Sequence, residues 1–334
     1  MTFRWLRTGT LVAASTATAL LLAACGGGSS SSSSGAPTAG KPVTVTAGFI
    51  PVVDVAALYL GVDQGIFKKH GINLTIKTGQ GGAALVPPVV TGEYQFAFSN
   101  IVSVIQAQAK GLPLKVIGSG SSSTGQAGKD VSMIRVREDS PIKTAADLAG
   151  KRVSVNTLGN LLELLGDTAV NKAGGAIDSV NYVEMPFPDA VTALKDGKID
   201  AMVTAEPFDT IAAASTKTRI IASPYLDMSP SSLTTSVYFS SEAQLKKDPK
   251  LFEAITAAID ESLTYAQSHP DDVRTQVTEY AKVAPDVAKT ITLPTFAPDV
   301  PEASVKNFSA LAKQFGMTTK DVSYDDLVWS GSGQ

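Results

Sequence analysis

Cysteine occurs once in this 334-residue sequence, at Cys25, and histidine twice, at His70 and His269. A single thiol excludes an internal disulfide, a structural zinc finger and a CxxC redox pair, and two histidines leave little from which to build a histidine-rich metal centre. Positive charge is in deficit: 28 Lys and Arg stand against 31 Asp and Glu, for a formal net charge of −3. Neutralising a phosphate backbone needs clustered cations, so no nucleic-acid partner is expected. After the N-terminal segment no run of 18 consecutive apolar residues occurs, which leaves the body of the chain without a candidate membrane span. Charged residues make up 18% and hydrophobic ones 44%, a balance that excludes extensive disorder. At about 150 residues per domain, the length suggests two folding units with cores of their own.

The first forty residues are of a different kind. Arg4 and Arg7 form a positive n-region, and an uncharged stretch from Gly9 to Ala24 runs into Leu22-Ala23-Ala24-Cys25. That tetrapeptide resembles the bacterial lipobox, whose cysteine is acylated and becomes the first residue of the mature chain. The only cysteine occupies the one position that chemistry requires. Residues 1–24 therefore read as a lipoprotein signal peptide and Cys25 as a palmitate-type lipidation site. The alternatives are an ordinary secretory signal or a short anchor, although the stretch is short and weak for a permanent span. Residues 25–40, rich in Gly and Ser, read as a flexible tether with a reach of about 20 Å. The expected location is the outer face of the bacterial cytoplasmic membrane, with the lipid as anchor.

Beyond Lys41, short β-branched or aromatic runs alternate with segments of helical period. Val43–Ala47, Ile72–Ile76, Tyr94–Phe98 and Leu114–Ile117 read as strands; Asp54 caps a helical stretch, Gly81-Gly82 opens another, and Ile101–Lys110 forms a third. Such alternation predicts parallel β-α-β units with helices on both sheet faces, an α/β fold. Thr91-Gly92-Glu93-Tyr94-Gln95-Phe96-Ala97-Phe98-Ser99 is echoed in type by Asp196-Gly197-Lys198-Ile199-Asp200-Ala201-Met202-Val203-Thr204. A helix end, a Gly cap, a charge, a buried strand and a hydroxyl recur in that order, which suggests two lobes of similar construction. Val131–Arg137 and Thr234–Ser240 read as the two hinge strands. The expected division is 41–137 plus 235–334 for lobe one and 138–234 for lobe two, with a helical C-terminal segment packing back on lobe one.

Several segments resemble a known family. Gly48-Phe49-Ile50, Ala56-Ala57-Leu58-Tyr59-Leu60-Gly61 and Gln64-Gly65-Ile66-Phe67-Lys68-Lys69-His70-Gly71-Ile72 are similar to the opening of nitrate/sulfonate/taurine-type solute-binding proteins of ATP-binding-cassette importers. That family includes thiamine-pyrimidine binders. Asp147-Leu148-Ala149-Gly150-Lys151-Arg152-Val153, Asp189-Ala190-Val191-Thr192-Ala193-Leu194 and Glu206-Pro207-Phe208 extend the likeness. The resemblance implies a type II periplasmic-binding-protein fold, a monomer that closes on one small-molecule ligand, and partners in an ABC permease and its ATPase subunits. Pro87-Pro88 inside a helix and the Ser/Gly-rich segment 119–129 depart from the pattern.

In open α/β sheets ligands bind beyond the carboxyl ends of strands. Those ends supply Phe49, Ile50 and Asp54; Ser99 and Asn100; Asn156, Thr157 and Leu158; Phe187; and Thr204 and Glu206 as candidate ligand-binding residues. Ser99-Asn100 and Asn156-Thr157 are placed at helix N-termini, where free N–H groups can hold an anion or the side chains can simply cap. Asp54 and Glu206 are either caps or ligand contacts, and Phe49, Phe187 and Phe208 either flank a planar guest or pack a core. With no Lys or Arg in these loops, an organic molecule (a sulfonate, a taurine-like compound, or one bearing a pyrimidine or amine) is expected rather than a bare inorganic anion.

Catalytic signatures are absent or disordered in sequence. Ser140-Pro141-Ile142-Lys143 matches SxxK, but Lys77-Thr78-Gly79 precedes it, the reverse of penicillin-recognising enzymes. Pyrimidine synthases related to the resembled family use a cysteine cluster, which Cys25 alone cannot supply. No cofactor and no metal are expected. A lipid-anchored enzyme or a ligand sensor on the same fold is the alternative reading.

Overall fold

The computed structural model describes residues 36–229 and 231–332; the expected signal peptide, Cys25 and most of the expected tether lie outside the described residues. Among the described residues ten strands form two five-stranded mixed sheets. The first contains β1 (Val43–Phe49), β2 (Ile72–Thr78), β3 (Phe96–Asn100), β4 (Leu114–Ser122) and β10 (Thr234–Ser241), in the order β2-β1-β3-β10-β4. The second contains β5 (Ile134–Arg137), β6 (Arg152–Val155), β7 (Asn181–Glu184), β8 (Ala201–Val203) and β9 (Thr218–Ala222), in the order β7-β6-β8-β5-β9.

The two orders are the same pattern. In each sheet three parallel strands are followed by one antiparallel strand that entered from the other half: β10 against β3 and β4, β5 against β8 and β9. The sequence echo falls on the matching strands. β3 and β8 occupy the same place in their sheets, and Gly92 and Gly197, which precede them, both have positive φ (81° and 70°). That backbone conformation is open to glycine at no steric cost and ends the preceding helix.

One expected strand changes sides. Ile134–Arg137 was assigned to lobe one, yet it pairs with β8 and β9 in the second sheet, so the first sheet stops at Ser122 and resumes at Thr234. The first four residues of the Ser/Gly-rich segment 119–129 belong to β4. Between the sheets the two crossing segments bond to each other. Ser123 N–H donates to Leu233 O, and Leu233 N–H donates to Ser123 Oγ, both at 2.9 Å. Asp130 Oδ1 accepts Thr124 N–H at 2.9 Å and Val131 N–H at 2.8 Å, which ties off the turn between them.

The helices that return after β10 pack on lobe one. Pro249–Ser268 lies against Ala56–Asp63 so closely that a Cβ on Gly61 would fall 2.0 Å from Ser262 Oγ. Pro270–Tyr280 follows, and Tyr280 stacks on Tyr59 with ring centroids 4.4 Å apart. Its hydroxyl donates to Val52 O at 2.7 Å, holding the segment that leaves β1. Tyr238 is fully buried at the centre of the first sheet, where Phe49, Phe96 and Phe98 all pack against its ring. Pro87 and Pro88 remain within the helix Gly82–Thr91; the Pro88 carbonyl accepts from Tyr94 N–H outside the helix.

Candidate functional site

A cavity of about 60 Å3 lies between the two sheets, room for a few water-sized groups. Lobe one contributes Ile50, Val52 and Asp54 from the segment after β1, Phe98 and Asn100 from the end of β3, and Thr235 and Ser236 from the start of β10. From the other side come Val131 and Ser132 leading into β5, and Asn156 after β6. Asn160, Leu161 and Leu162 open the next helix, Phe187 follows β7, Ala205 follows β8, and Tyr225 completes the wall. The lining mixes apolar walls with hydroxyls, amides and one carboxyl; it contains no Lys or Arg.

Hydrogen bonds join the lobes around this space. Gln106 Nε2 donates to Gly159 O at 2.6 Å, and Asn156 Nδ2 reaches Gln80 O at 3.4 Å. Val53 N–H donates to Glu206 O at 2.9 Å, and Thr292 N–H to Glu206 Oε1 at 3.1 Å. Gly81 faces Thr157 so closely that a Cβ would lie 2.4 Å from its hydroxyl. The cleft is closed.

Ile50, Asp54, Asn100, Asn156 and Phe187 come together on the cavity wall, whereas six of the expected residues do not. Phe49 is a core ring, packed against Tyr59, Phe96 and Tyr238. Ser99 is buried beneath Gly82, where a Cβ would fall 1.8 Å from its hydroxyl. Thr157 makes the approach to Gly81, and Leu158 is exposed, its N–H donating to Glu184 Oε2 at 2.9 Å. Thr204 is fully buried and donates to Asp209 Oδ1 at 3.1 Å. Glu206 turns away from the cavity. Its carboxyl takes three donors: Thr210 Oγ1 at 2.8 Å, Thr292 N–H at 3.1 Å and Thr210 N–H at 3.2 Å.

The helix caps differ from expectation in a way that changes the site. Asn100 does cap its helix, accepting Ser103 N–H at 2.9 Å. In lobe two the cap is Asn160, which accepts Leu162 N–H at 3.1 Å; its Nδ2 donates to Asn156 Oδ1 and so fixes that amide on the wall. Asp54 caps nothing. It sits in the 3-10 turn Val53–Val55, and Oδ1 accepts from Ser121 Oγ and, at 3.4 Å, from Ser236 Oγ. Burial pushes its carboxyl above the usual range, against those hydroxyl bonds, and the charge of Asp130 adds to the rise.

Glu206 is also displaced upward, to about 7, by burial first and by the charge of Asp209 second. Asp209 is itself held by Arg135, whose Nε and Nη2 meet its two oxygens at 2.7 and 2.8 Å in a bidentate pair. The enzyme-like pattern at Ser140 is a turn: its hydroxyl accepts Ile142 N–H at 3.3 Å. His70, partly buried, bonds Glu261 through Nε2 at 2.8 Å. Among the described residues no group of three or more His, Cys, Asp and Glu is placed to hold a metal ion.

Tyr225, Ser132 and Ser236 were not among the expected site residues. Ser236 had a signal: it pairs with Asn100 across the sheet, and Asn100 stands at a strand's carboxyl end. β10 runs antiparallel, so its amino end lies beside the carboxyl ends of its neighbours, and a search confined to carboxyl ends passes it by.

Residues 52–273 match the family model described as NMT1/THI5 like. The chain belongs to the NMT1/THI5-like family. No curated protein matches this NMT1/THI5-like chain by sequence. Among solved structures it is similar to the periplasmic aliphatic sulphonate-binding protein SsuA of Escherichia coli, at 19% identity and a TM-score of 0.71, over 88% of this chain and 100% of that one. The alkanesulfonate-binding SsuA of Xanthomonas axonopodis pv. citri, solved with MOPS bound, gives 19% and 0.73, over 86% and 99%. The periplasmic nitrate-binding protein NrtA of Synechocystis PCC 6803 gives 12% and 0.68, over 85% and 84%. Likeness of this extent establishes the type II periplasmic-binding fold for the NMT1/THI5-like chain.

Proposed function

We propose that the chain is the extracytoplasmic solute-binding component of an ABC importer, which captures a small organic molecule between its lobes and delivers it to the permease. The observation that carries this reading is the closed cavity, walled by both lobes at the mouths of matching strands. A guest touching both walls favours closure by its differential affinity for the closed state, and closure is what a permease can sense. The solved relatives are themselves binding proteins for sulfonates and nitrate, which supports the same class of role here.

Ile50, Asp54, Asn100, Asn156 and Phe187, joined by Ser236 and Tyr225, are the proposed ligand contacts; Phe187 lines the cavity and stacks on Phe208 at 4.9 Å. Cys25 is proposed to be acylated and to hold a monomeric domain at the membrane surface by the Gly/Ser tether, with lobe division at the segments 123–133 and 223–233. The test is thermal shift against a panel of small organic anions and amines, with consumption of each compound followed in the same wells. A binder at a hundredfold excess of ligand over Kd gains about 2.7 kcal/mol and consumes nothing. Turnover of any compound contradicts the proposal.

A further inference from the structure

Asp54 is 8% exposed and lies on the cavity wall, yet it has no cationic partner. None of the ion pairs among the described residues includes it, and the cavity lining holds neither Lys nor Arg. Arg135, the one buried arginine among the described residues, is engaged by Asp209 through Nε and Nη2 and by Thr218 through Nη1. The partners Asp54 does have are uncharged: Ser121 Oγ and Ser236 Oγ both approach Oδ1, the two hydroxyls bond each other at 2.9 Å, and the residue's own backbone N–H donates to its carboxyl. A second carboxyl lies nearby. Asp130 is 2% exposed, its Oδ1 is bonded to the hinge turn, and its Oδ2 is buried without a partner. Tyr225, on the cavity wall, lies within the influence of both charges.

Buried carboxylates in proteins are paired with a cation or hydrogen-bonded on all sides, because an uncompensated charge is costly to remove from water. A sulfonate or carboxylate guest would set a further negative group against Asp54, with Asp130 behind it, in a space whose lining holds no positive one. The geometry points to the opposite guest: Asp54 is the specificity-determining residue for a small molecule carrying an ammonium group or an equivalent N–H donor, which sits against its carboxylate when the lobes close. This inference rests on the solute-binding reading and narrows it to the cationic or amine-bearing class, unlike the sulfonates named for the solved relatives.

The test uses the full chain and a matched panel: primary amines, amino alcohols and diamines of two to five carbons against carboxylates and sulfonates of the same carbon skeletons. Melting shifts are read first, then calorimetric titration of the strongest compound. The expected result is that the best amine binds at least tenfold more tightly than its matched anions, and that Asp54→Asn lowers its affinity at least tenfold. Ser236→Ala, which keeps the carboxylate, should cost less. If anions bind as tightly as amines, or if Asp54→Asn binds the amine as the wild type does, the assignment of Asp54 falls while solute binding stands. If no compound of either class shifts the melt and the purified chain carries no small molecule, both fall. Should Asp54→Asn not fold, the comparison of amine with anion on the wild-type chain decides alone.

Discussion

The carboxyl of Glu206 accepts the Thr292 N–H at 3.1 Å. Glu206 follows β8 in lobe two, whereas Thr292 belongs to a segment bridged to β4 of lobe one through Ser122 and Thr295. With the Val53 N–H bond to the Glu206 carbonyl, this residue fastens one lobe to the other without touching the cavity. Glu206, which the sequence leaves open between a cap and a ligand contact, joins the lobes through these bonds.

The same residue makes stability depend on pH. Glu206 titrates at about 7 in the folded chain against an ordinary value of 4.5. Between those values the folded state holds the proton more tightly than the unfolded chain. Its contribution is therefore fully present below about pH 4.5 and is lost as pH rises through about 7. Asp167 and Asp260, both raised to about 6, act in the same direction. Melting temperatures measured from pH 5 to 8 should fall, and Glu206→Gln should remove part of that slope. An unchanged slope in the variant would show that Glu206 does not titrate in this range.

The buried pair of Arg135 and Asp209 is expected to be costly to break from one side. Asp209→Ala strips Arg135 of its bidentate partner and Thr204 of an acceptor. A loss of about 3–5 kcal/mol is expected, because a buried guanidinium is left uncompensated. Urea denaturation of the variant measures it, and a loss under about 1 kcal/mol would contradict the pairing.

Asn156 and Asn160 should separate binding from stability. Asn156→Ala removes an amide from the cavity wall, a long 3.4 Å bond to Gln80 O and the acceptor of Asn160 Nδ2, so it should weaken ligand binding strongly at a stability cost of about 1 kcal/mol. Asn160→Ala also loses the cap on Leu162 N–H, which costs about 1 kcal/mol more. Retention of the co-purified molecule and thermal melts of both variants distinguish the two roles.

Gln106 tests closure directly. Its 2.6 Å bond to Gly159 O joins a lobe-one helix to the loop that opens the lobe-two helix, beside the cavity. Gln106→Ala should shift the ligand-free chain toward an open form, seen as a larger radius of gyration by small-angle scattering. An unaltered radius would mean that this contact does not hold the lobes.

Much of the architecture was legible in sequence because its signals are local. The repeat of helix end, glycine, charge and buried strand at Gly92 and Gly197 reflects one construction used twice, and in the structure its strand lies at the centre of each sheet. The side on which β5 lies was not legible. A strand that leaves the hinge carries the same β-branched pattern whichever sheet receives it, and only pairing with Val203 and Ile220 decides. The site divides along the same line. Asn100 and Asn156 follow from the rule of strand ends, whereas Ser236 and Tyr225 come from the antiparallel return and depend on tertiary register. The sequence leaves Asp54 open between a cap and a ligand contact, because its actual partners, Ser121 and Ser236, are remote in sequence.

The central claim is that the closed space between the lobes carries a small guest that the chain does not alter. Native mass spectrometry of the gently purified full chain tests it most directly. One noncovalently bound small molecule per chain, lost on denaturation, recovered chemically unchanged and depleted in Asn156→Ala, is the predicted result. A native mass equal to the denatured mass, or a guest recovered in converted form, would contradict it.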